Sequence, residues 1–155
     1  MTLPDLTITP ARPADLPAIL TMIKALSAFH GDDAAANLSD LQDMFFGPTD
    51  RATALIATSK GTPVGYAGLT PTMVIHDAKL RLDIHHLYVV EPYRAKGVGS
   101  ALITAAKSHA LAIGATRLTI GTDAGNATAI ASYRAMDILE EITGTGPRFR
   151  VDLTA

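Results

Sequence analysis

Leu6-Thr7-Ile8-Thr9 alternates apolar and polar side chains, the period of a half-buried strand, and Pro10 predicts its end. Arg12-Pro13-Ala14-Asp15 then reads as a helix start, with an acidic side chain in the first turn. Ile19, Leu20, Ile23 and Leu26 follow at helical spacing and predict a core-facing stripe that stops near His30-Gly31. Leu41, Met44 and Phe45 lie at i, i+3, i+4 and predict a short amphipathic helix from Leu38 to Phe46. Asn37 or Ser39 can cap it and Gly47-Pro48 terminates it. Ala52 to Thr58 and Pro63 to Leu69 read as an antiparallel hairpin turned at Lys60-Gly61-Thr62, with Gly65 and Gly68 thinning one face.

After a turn at His76-Asp77-Ala78, the residues from Lys79 to Val90 predict a long strand. Strict alternation would put Leu80, Leu82, Ile84, His86 and Tyr88 on one side, and Arg81, Asp83, His85, Leu87 and Val89 on the other. Glu91-Pro92 stops it, because proline lacks the N–H that a ladder needs. A glycine-spaced turn, Arg94-Ala95-Lys96-Gly97-Val98-Gly99-Ser100, runs into a helix through Leu102, Ile103, Ala105, Ala106 and Ala110, with Gly114 placed to end it. Ala115 to Gly121 is a further strand. Since it follows a helix, it should lie parallel to the Lys79–Val90 strand through a right-handed crossover. Asn126 can cap a helix to about Met136, and Ile138–Thr143 with Arg148–Leu153 read as a closing hairpin turned at Gly144-Thr145-Gly146-Pro147. Strands and helices interleaved in this way predict a mixed α/β fold.

Composition narrows the chemistry. A chain of 155 residues, 48% hydrophobic and 18% charged, predicts one globular domain over 1–155. No cysteine is present, so disulfides, thiol catalysis and cysteine zinc sites are excluded together. A net charge of −2 argues against general nucleic-acid binding, which rests on a basic surface. No apolar run approaches the roughly 20 residues of a membrane span, so no membrane partner is expected. Met1 to Pro10 shows no basic region followed by an apolar core, which makes the cytoplasm the default location.

The strand Leu87-Tyr88-Val89-Val90, the glycine turn and the helix start together make an anion site. First-turn N–H groups lack helical partners and the helix dipole is positive there. Gly97 and Gly99 let a diphosphate approach the backbone without meeting a Cβ, and Arg94 and Lys96 add charge. The dinucleotide fingerprint G-x-G-x-x-G fails at Leu102, and the G-x-x-x-x-G-K-[ST] phosphate loop fails as well.

What fits is R-x-x-G-x-G after an L-Y-V strand, followed downstream by Asn126-x-x-Ala129-x-x-x-Tyr133. In these two ordered motifs the chain resembles the GNAT-superfamily acetyltransferases, nearest in pattern to the polyamine and diamine type. The resemblance spans nearly the whole chain. It implies a mostly antiparallel sheet with helices on both faces and a central pair of parallel strands, splayed by a bulge at the Leu87–Val89 strand that leaves a backbone N–H for the acetyl oxygen. It implies acetyl-CoA as cosubstrate, a small-molecule primary amine as acceptor, a direct ternary complex and a homodimer. Arg94, Ala95, Lys96, Gly97, Val98, Gly99 and Ser100 match the coenzyme A pyrophosphate loop. Leu87, Tyr88 and Val89 match the strand beside which the pantetheine arm lies, and Asn126 would orient the pantetheine or a water. Tyr133 matches the general acid.

Acetyl transfer from a thioester to an amine needs a neutral amine, a stabilised carbonyl oxygen and a protonated leaving thiolate. A tyrosine, with an ordinary pKa of about 10 against about 8.5 for a thiol, is protonated at neutral pH and can supply that proton. Asp32 and Asp33, in the polar hinge after the first helix, would attract an ammonium if that loop overhangs the acceptor site, as it does in polyamine-type relatives. His85-His86 departs from that type, which carries acidic residues at both positions. An imidazole, ordinarily titrating near 6.5, is suited to accepting a proton at neutral pH. Alternation sends one of the pair toward the cleft, and His85 is the candidate base and acceptor-binding residue. No metal is expected, because adjacent strand residues point apart and no carboxylate completes a ligand set. The rival from another class is a non-catalytic acyl-CoA-binding or sensing module of the same fold.

Overall fold

Segments rich in β-branched side chains become strands, and alternate residues along them meet a different helical layer on each side. The structure, a computed structural model, describes residues 3–49, 51–143 and 146–153. Two compact units are present, Met1–Gly121 and Thr122–Ala155. In the first, β1 (Leu6–Pro10), β2 (Thr53–Ser59), β3 (Thr62–Val74), β4 (Lys79–Val89) and β5 (Leu118–Ile120) form one sheet in that order. Pairing is antiparallel from β1 through β4. β4 and β5 are parallel, with Leu82, Asp83 and Ile84 opposite Leu118, Thr119 and Ile120.

α1 (Leu16–Phe29) follows a 3-10 turn at Pro13–Asp15 and joins α2 (Leu38–Phe46) over one face of the sheet. Leu16, Ile19, Met22, Ile23 and Leu41 pack there with Ala54, Ile56 and Tyr66. α3 (Val98–Ala112) covers the opposite face, burying Val98, Leu102, Ile103, Ala106 and Ala110. Period-two alternation directs Leu55, Ala57, Ala67 and Leu69 to that side, and all four are buried. Each such Leu or Ile stabilises the fold by about 1.5–3 kcal/mol on leaving water. Gly65 leaves room for both β4 and α3: a Cβ there would meet Tyr88 O at 2.9 Å, Val98 Cγ1 at 3.2 Å and Leu102 Cδ1 at 3.3 Å.

Local chemistry sets the element ends. Asn37 Oδ1 accepts from the Asp40 N–H (3.0 Å) while Asp40 Oδ2 accepts from the Asn37 N–H (2.9 Å), so Asn37, not Ser39, caps α2. β3 outruns its predicted end and continues to Val74, pairing β4 alone beyond Leu69. β5 is shorter than predicted, holding only Leu118–Ile120, because its ladder with β4 stops at Ile84.

The second unit contains α4 (Ala127–Arg134), which ends earlier than the predicted Met136. The predicted closing hairpin is not formed. Neither the Ile138–Thr143 stretch nor the Arg148–Leu153 stretch is a strand, and residues 144–145 of the expected turn lie outside the described residues. After α4 the chain curls: the Leu139 N–H donates to Met136 O (3.0 Å). Glu141 is drawn back to a bidentate Arg134 fork at 2.8 and 2.9 Å. That fork holds the stretch bent, where a hairpin arm must be extended.

Candidate active site

β4 carries a bulge at the histidines. Gly68 stands opposite His86 and Leu69 opposite Ile84, so His85 has no counterpart on β3. The extra residue resets the alternation. Ile84 pairs with Leu69 and Val89 with Gly65, so Ile84 and Val89 face α3 although one number is even and the other odd. His86 and Tyr88 face the α1 side with Tyr66. The expectation that His85 and His86 point to opposite layers is corrected: their rings stack, centroids 5.2 Å apart and planes 10° from parallel. A bulge puts two successive side chains on one side where a regular strand would separate them.

The same irregularity frees an edge. Pairing with β5 ends at Ile84, while β4 continues to Val89. Val90 N–H donates to Val64 O at 2.9 Å, so by alternation Tyr88 turns its main chain toward β3. Leu87 and Val89 turn theirs the other way. Arg94 Nε donates to Val89 O at 2.9 Å, and its guanidinium lies 5.4 Å from the Tyr88 ring centroid. The arginine therefore ties the strand end to the loop that follows.

That loop delivers the α3 N-terminus. Ala95 (φ 59°) and Gly97 (φ 85°) are left-handed, which reverses the chain over a short span. Gly97 is the cap residue, and no side chain caps the helix. The first helical bond runs from Ala101 N–H to Gly97 O at 3.0 Å, so the N–H groups of Val98, Gly99 and Ser100 have no partner within the helix. Val98 is buried and anchors the turn, whereas Arg94, Ala95, Lys96, Gly97 and Ser100 are exposed. A Cβ at Gly99 would meet nothing nearer than Val89 Cγ2, at 4.0 Å. Protein packing gives no reason for glycine there. An anion laid against the backbone does.

A polar cluster sits on β4 around the bulge. Thr119 Oγ1 donates to Asp83 Oδ1 at 2.6 Å, fixing a carboxylate whose other oxygen is 3.9 Å from His85 Nδ1. The exposed His85 ring thus turns Nδ1 toward that carboxylate and leaves Nε2 on its far side. Tyr66, from β3, reaches His86 Nδ1 at 2.5 Å. Burial, then the neighbouring His85 and His30, hold His86 below the ordinary histidine pKa. His30 closes α1, so the end of that helix comes within electrostatic reach of the bulge. Asp32 and Asp33 follow it in the exposed loop to α2.

Asn126 and Tyr133 belong to the second unit. Asn126 caps α4, its Oδ1 accepting from the Ala129 N–H at 3.1 Å, so only its amide N–H groups are left for another partner. Asn126, Ala129, Ile130 and Tyr133 are partly buried while their α4 neighbours are exposed, which places them on one helical face. Burial raises the Tyr133 pKa, keeping the phenol protonated at neutral pH.

The structure thus brings Leu87, Tyr88, Val89 and the Arg94–Ser100 loop together, with His85 on the same strand. Sequence reasoning missed Asp83 and Tyr66. Their signal was available in the apolar spacing of β4: Leu80, Leu82 and Ile84 step by two, then Leu87 and Val89 resume after three. That phase slip marks the bulge.

The fold and the sequence are shared with known proteins. The model of the Acetyltransferase (GNAT) family matches residues 21–137. The chain is 37% identical over 90 residues to the uncharacterized N-acetyltransferase YhfO of Bacillus subtilis (strain 168), a match spanning 58% of this chain and 60% of that protein. Among solved structures, it is similar to the aminoglycoside acetyltransferase meta-AAC0020 from an uncultured soil metagenomic sample, in complex with sisomicin. The TM-score is 0.79 at 18% identity, covering 96% of this chain and 97% of that one. It also resembles the ribosomal-protein-alanine N-acetyltransferase of Brucella melitensis biovar Abortus 2308, with a TM-score of 0.70 at 17% identity over 94% and 99% of the two chains.

Proposed function

Because the chain belongs to the GNAT acetyltransferase family, we propose that it transfers an acetyl group from acetyl-CoA to a primary amine of a small molecule, within one ternary complex. The observation that carries this reading is the uncapped α3 N-terminus, with Gly97 left-handed and Gly99 open, next to a strand edge that β5 no longer pairs. Bound acetyl-CoA would supply an activated thioester carbonyl.

The residues divide the work. The Val98, Gly99 and Ser100 amides hold a diphosphate, with Arg94 and Lys96 adding positive charge. The main-chain groups of Leu87 and the N–H of Val89 align the pantetheine arm as an added strand. Arg94 is half committed already, since its Nε is bonded to Val89 O, and it meets the ligand through its terminal nitrogens. His85, oriented by Asp83, takes the proton from the acceptor ammonium at Nε2 and leaves the amine nucleophilic. Tyr133 gives its proton to the departing thiolate, and its raised pKa keeps that proton available. No covalent acetyl-enzyme is required, and no cysteine exists to carry one. Asp32, Asp33 and Asp83 favour a cationic acceptor of polyamine or diamino-acid type. We propose cytoplasmic residence and a homodimer on the family's pattern.

The test is thiol release from acetyl-CoA against a panel of polyamines, diamino acids and aminoglycosides. Amine-dependent turnover is expected. Tight coenzyme A binding with no turnover on any amine would refute the transferase reading and leave a binding module.

A further inference from the structure

We propose that Tyr66 is a positioning residue: its hydroxyl fixes His86 as a neutral imidazole with the proton on Nε2, which reserves proton acceptance on this face for His85. The role given to His85 rests on the transferase reading above; the state of His86 does not.

Tyr66 is 1% exposed, and the one hydrogen-bond partner of its hydroxyl among the described residues is His86 Nδ1. A buried O–H left without an acceptor is destabilising. The phenol proton therefore points at Nδ1. A neutral imidazole that accepts at Nδ1 carries its hydrogen on Nε2. Protonating His86 would set an N–H against that O–H. Tyr66 would then have to accept, and its own proton would have nowhere to go.

The surroundings act in the same direction. His85 stacks on the ring from the same strand, His30 approaches from the end of α1, and both oppose a positive charge on His86. From β3 the group facing it is Tyr66, whose own pKa burial pushes upward, so the hydroxyl stays a donor. Asp83, the carboxylate of this strand, lies toward His85, and α2 contributes the apolar Leu41 to this face. Two adjacent histidines thereby receive different tasks. One is exposed and lies beside a carboxylate; the other is half-buried and locked as a donor.

Two-bond proton–nitrogen correlation spectra of the full chain, with His86 assigned through His86→Gln, decide this. Unmodified protein should show His86 as the Nε2–H tautomer, with a midpoint below the ordinary histidine value. In Tyr66→Phe, which keeps the ring and loses the hydroxyl, the two neutral tautomers should mix, while burial and the neighbouring His85 and His30 still hold the midpoint below the ordinary value. If amine turnover is found, the Tyr66→Phe pH–rate profile should gain an ionisation that the unmodified enzyme lacks. An Nδ1–H tautomer in the unmodified protein, or His86 titrating at its ordinary value there, would overturn the proposal without needing any variant to fold. An unchanged His86 signal in Tyr66→Phe would overturn it as well. Absence of turnover on every amine would instead refute the transferase reading, and the spectra would still report on His86.

Discussion

Replacing Gly99 by alanine separates what the loop does for the fold from what it does for a ligand. Gly99 lies in the first turn of α3 with ordinary backbone angles, and an added Cβ would have Val89 Cγ2, at 4.0 Å, as its nearest neighbour. That is a normal contact. Within a helix alanine is favoured over glycine by roughly 0.5–1 kcal/mol. Gly99→Ala should therefore leave the melting temperature unchanged or raise it by about 2–4 °C at most. The new methyl would, however, stand where a diphosphate approaches the amides. An extra methyl forced into a fitted contact costs about 1–3 kcal/mol, so coenzyme A affinity should fall on the order of tenfold or more. Gly97→Ala is the contrasting case. At φ 85° a side chain is strained, at about 1–2 kcal/mol, so both stability and affinity should drop. Calorimetric titration with coenzyme A and a thermal melt on each variant read the two quantities. An unchanged dissociation constant in a stable Gly99→Ala protein would refute the cradle, and a melting temperature several degrees lower would show that the glycine serves packing.

Tyr133→Phe should cut acetyl transfer by about 10²–10⁴-fold while sparing coenzyme A binding; turnover at the original rate would remove Tyr133 from the mechanism. Burial raises its pKa, so this acid stays protonated as pH climbs past neutrality, and the rate should lose its contribution only above the ordinary tyrosine value of about 10. A fall traced to Tyr133 near pH about 8 would contradict that. His85→Gln should slow turnover by about 10²–10⁴-fold at neutral pH with coenzyme A affinity intact, and full activity in that variant would dismiss it as the base. Gly65→Ala should destabilise the protein by about 1–3 kcal/mol in denaturant melts, because its Cβ would sit 2.9 Å from Tyr88 O. An unaffected midpoint would mean that β4 and α3 close on Gly65 less tightly than described.

The loop from Arg94 to Ser100 was legible because glycine spacing, basic residues and a following apolar helix are local properties that need no knowledge of neighbours. α2 was legible for the same reason, down to its Asn37 cap. The bulge was implied by the family resemblance, while alternation alone did not give it. It is a relation between β3 and β4, and simple alternation from Lys79 onward assigns Leu82 and Tyr88 to one side when the two face different helices. The three-residue step from Ile84 to Leu87 records the change, but it becomes readable only when the α3-facing side of Leu69 and Gly65 is known. Tyr66 escaped notice because a tyrosine in an apolar strand looks like core, and His86 is what makes its hydroxyl matter. The closing hairpin failed for the opposite reason. Arg148 to Leu153 has strand-like alternation, yet the Arg134–Glu141 fork bends the preceding stretch, and alternation alone supplies no partner.

The length of β3 bears on how copies of this chain can meet. From Thr70 to Val74 β2 no longer flanks it, so one margin of the ribbon presents backbone that could template another strand. Pro71 interrupts that row by withholding an N–H. At the far border of the sheet β1 likewise finishes on a proline, Pro10, and the opposite border is the brief β5. Sheet-to-sheet zippering is thereby discouraged on these three margins, which leaves the β4 edge beyond Ile84 as the stretch of backbone open to an added strand.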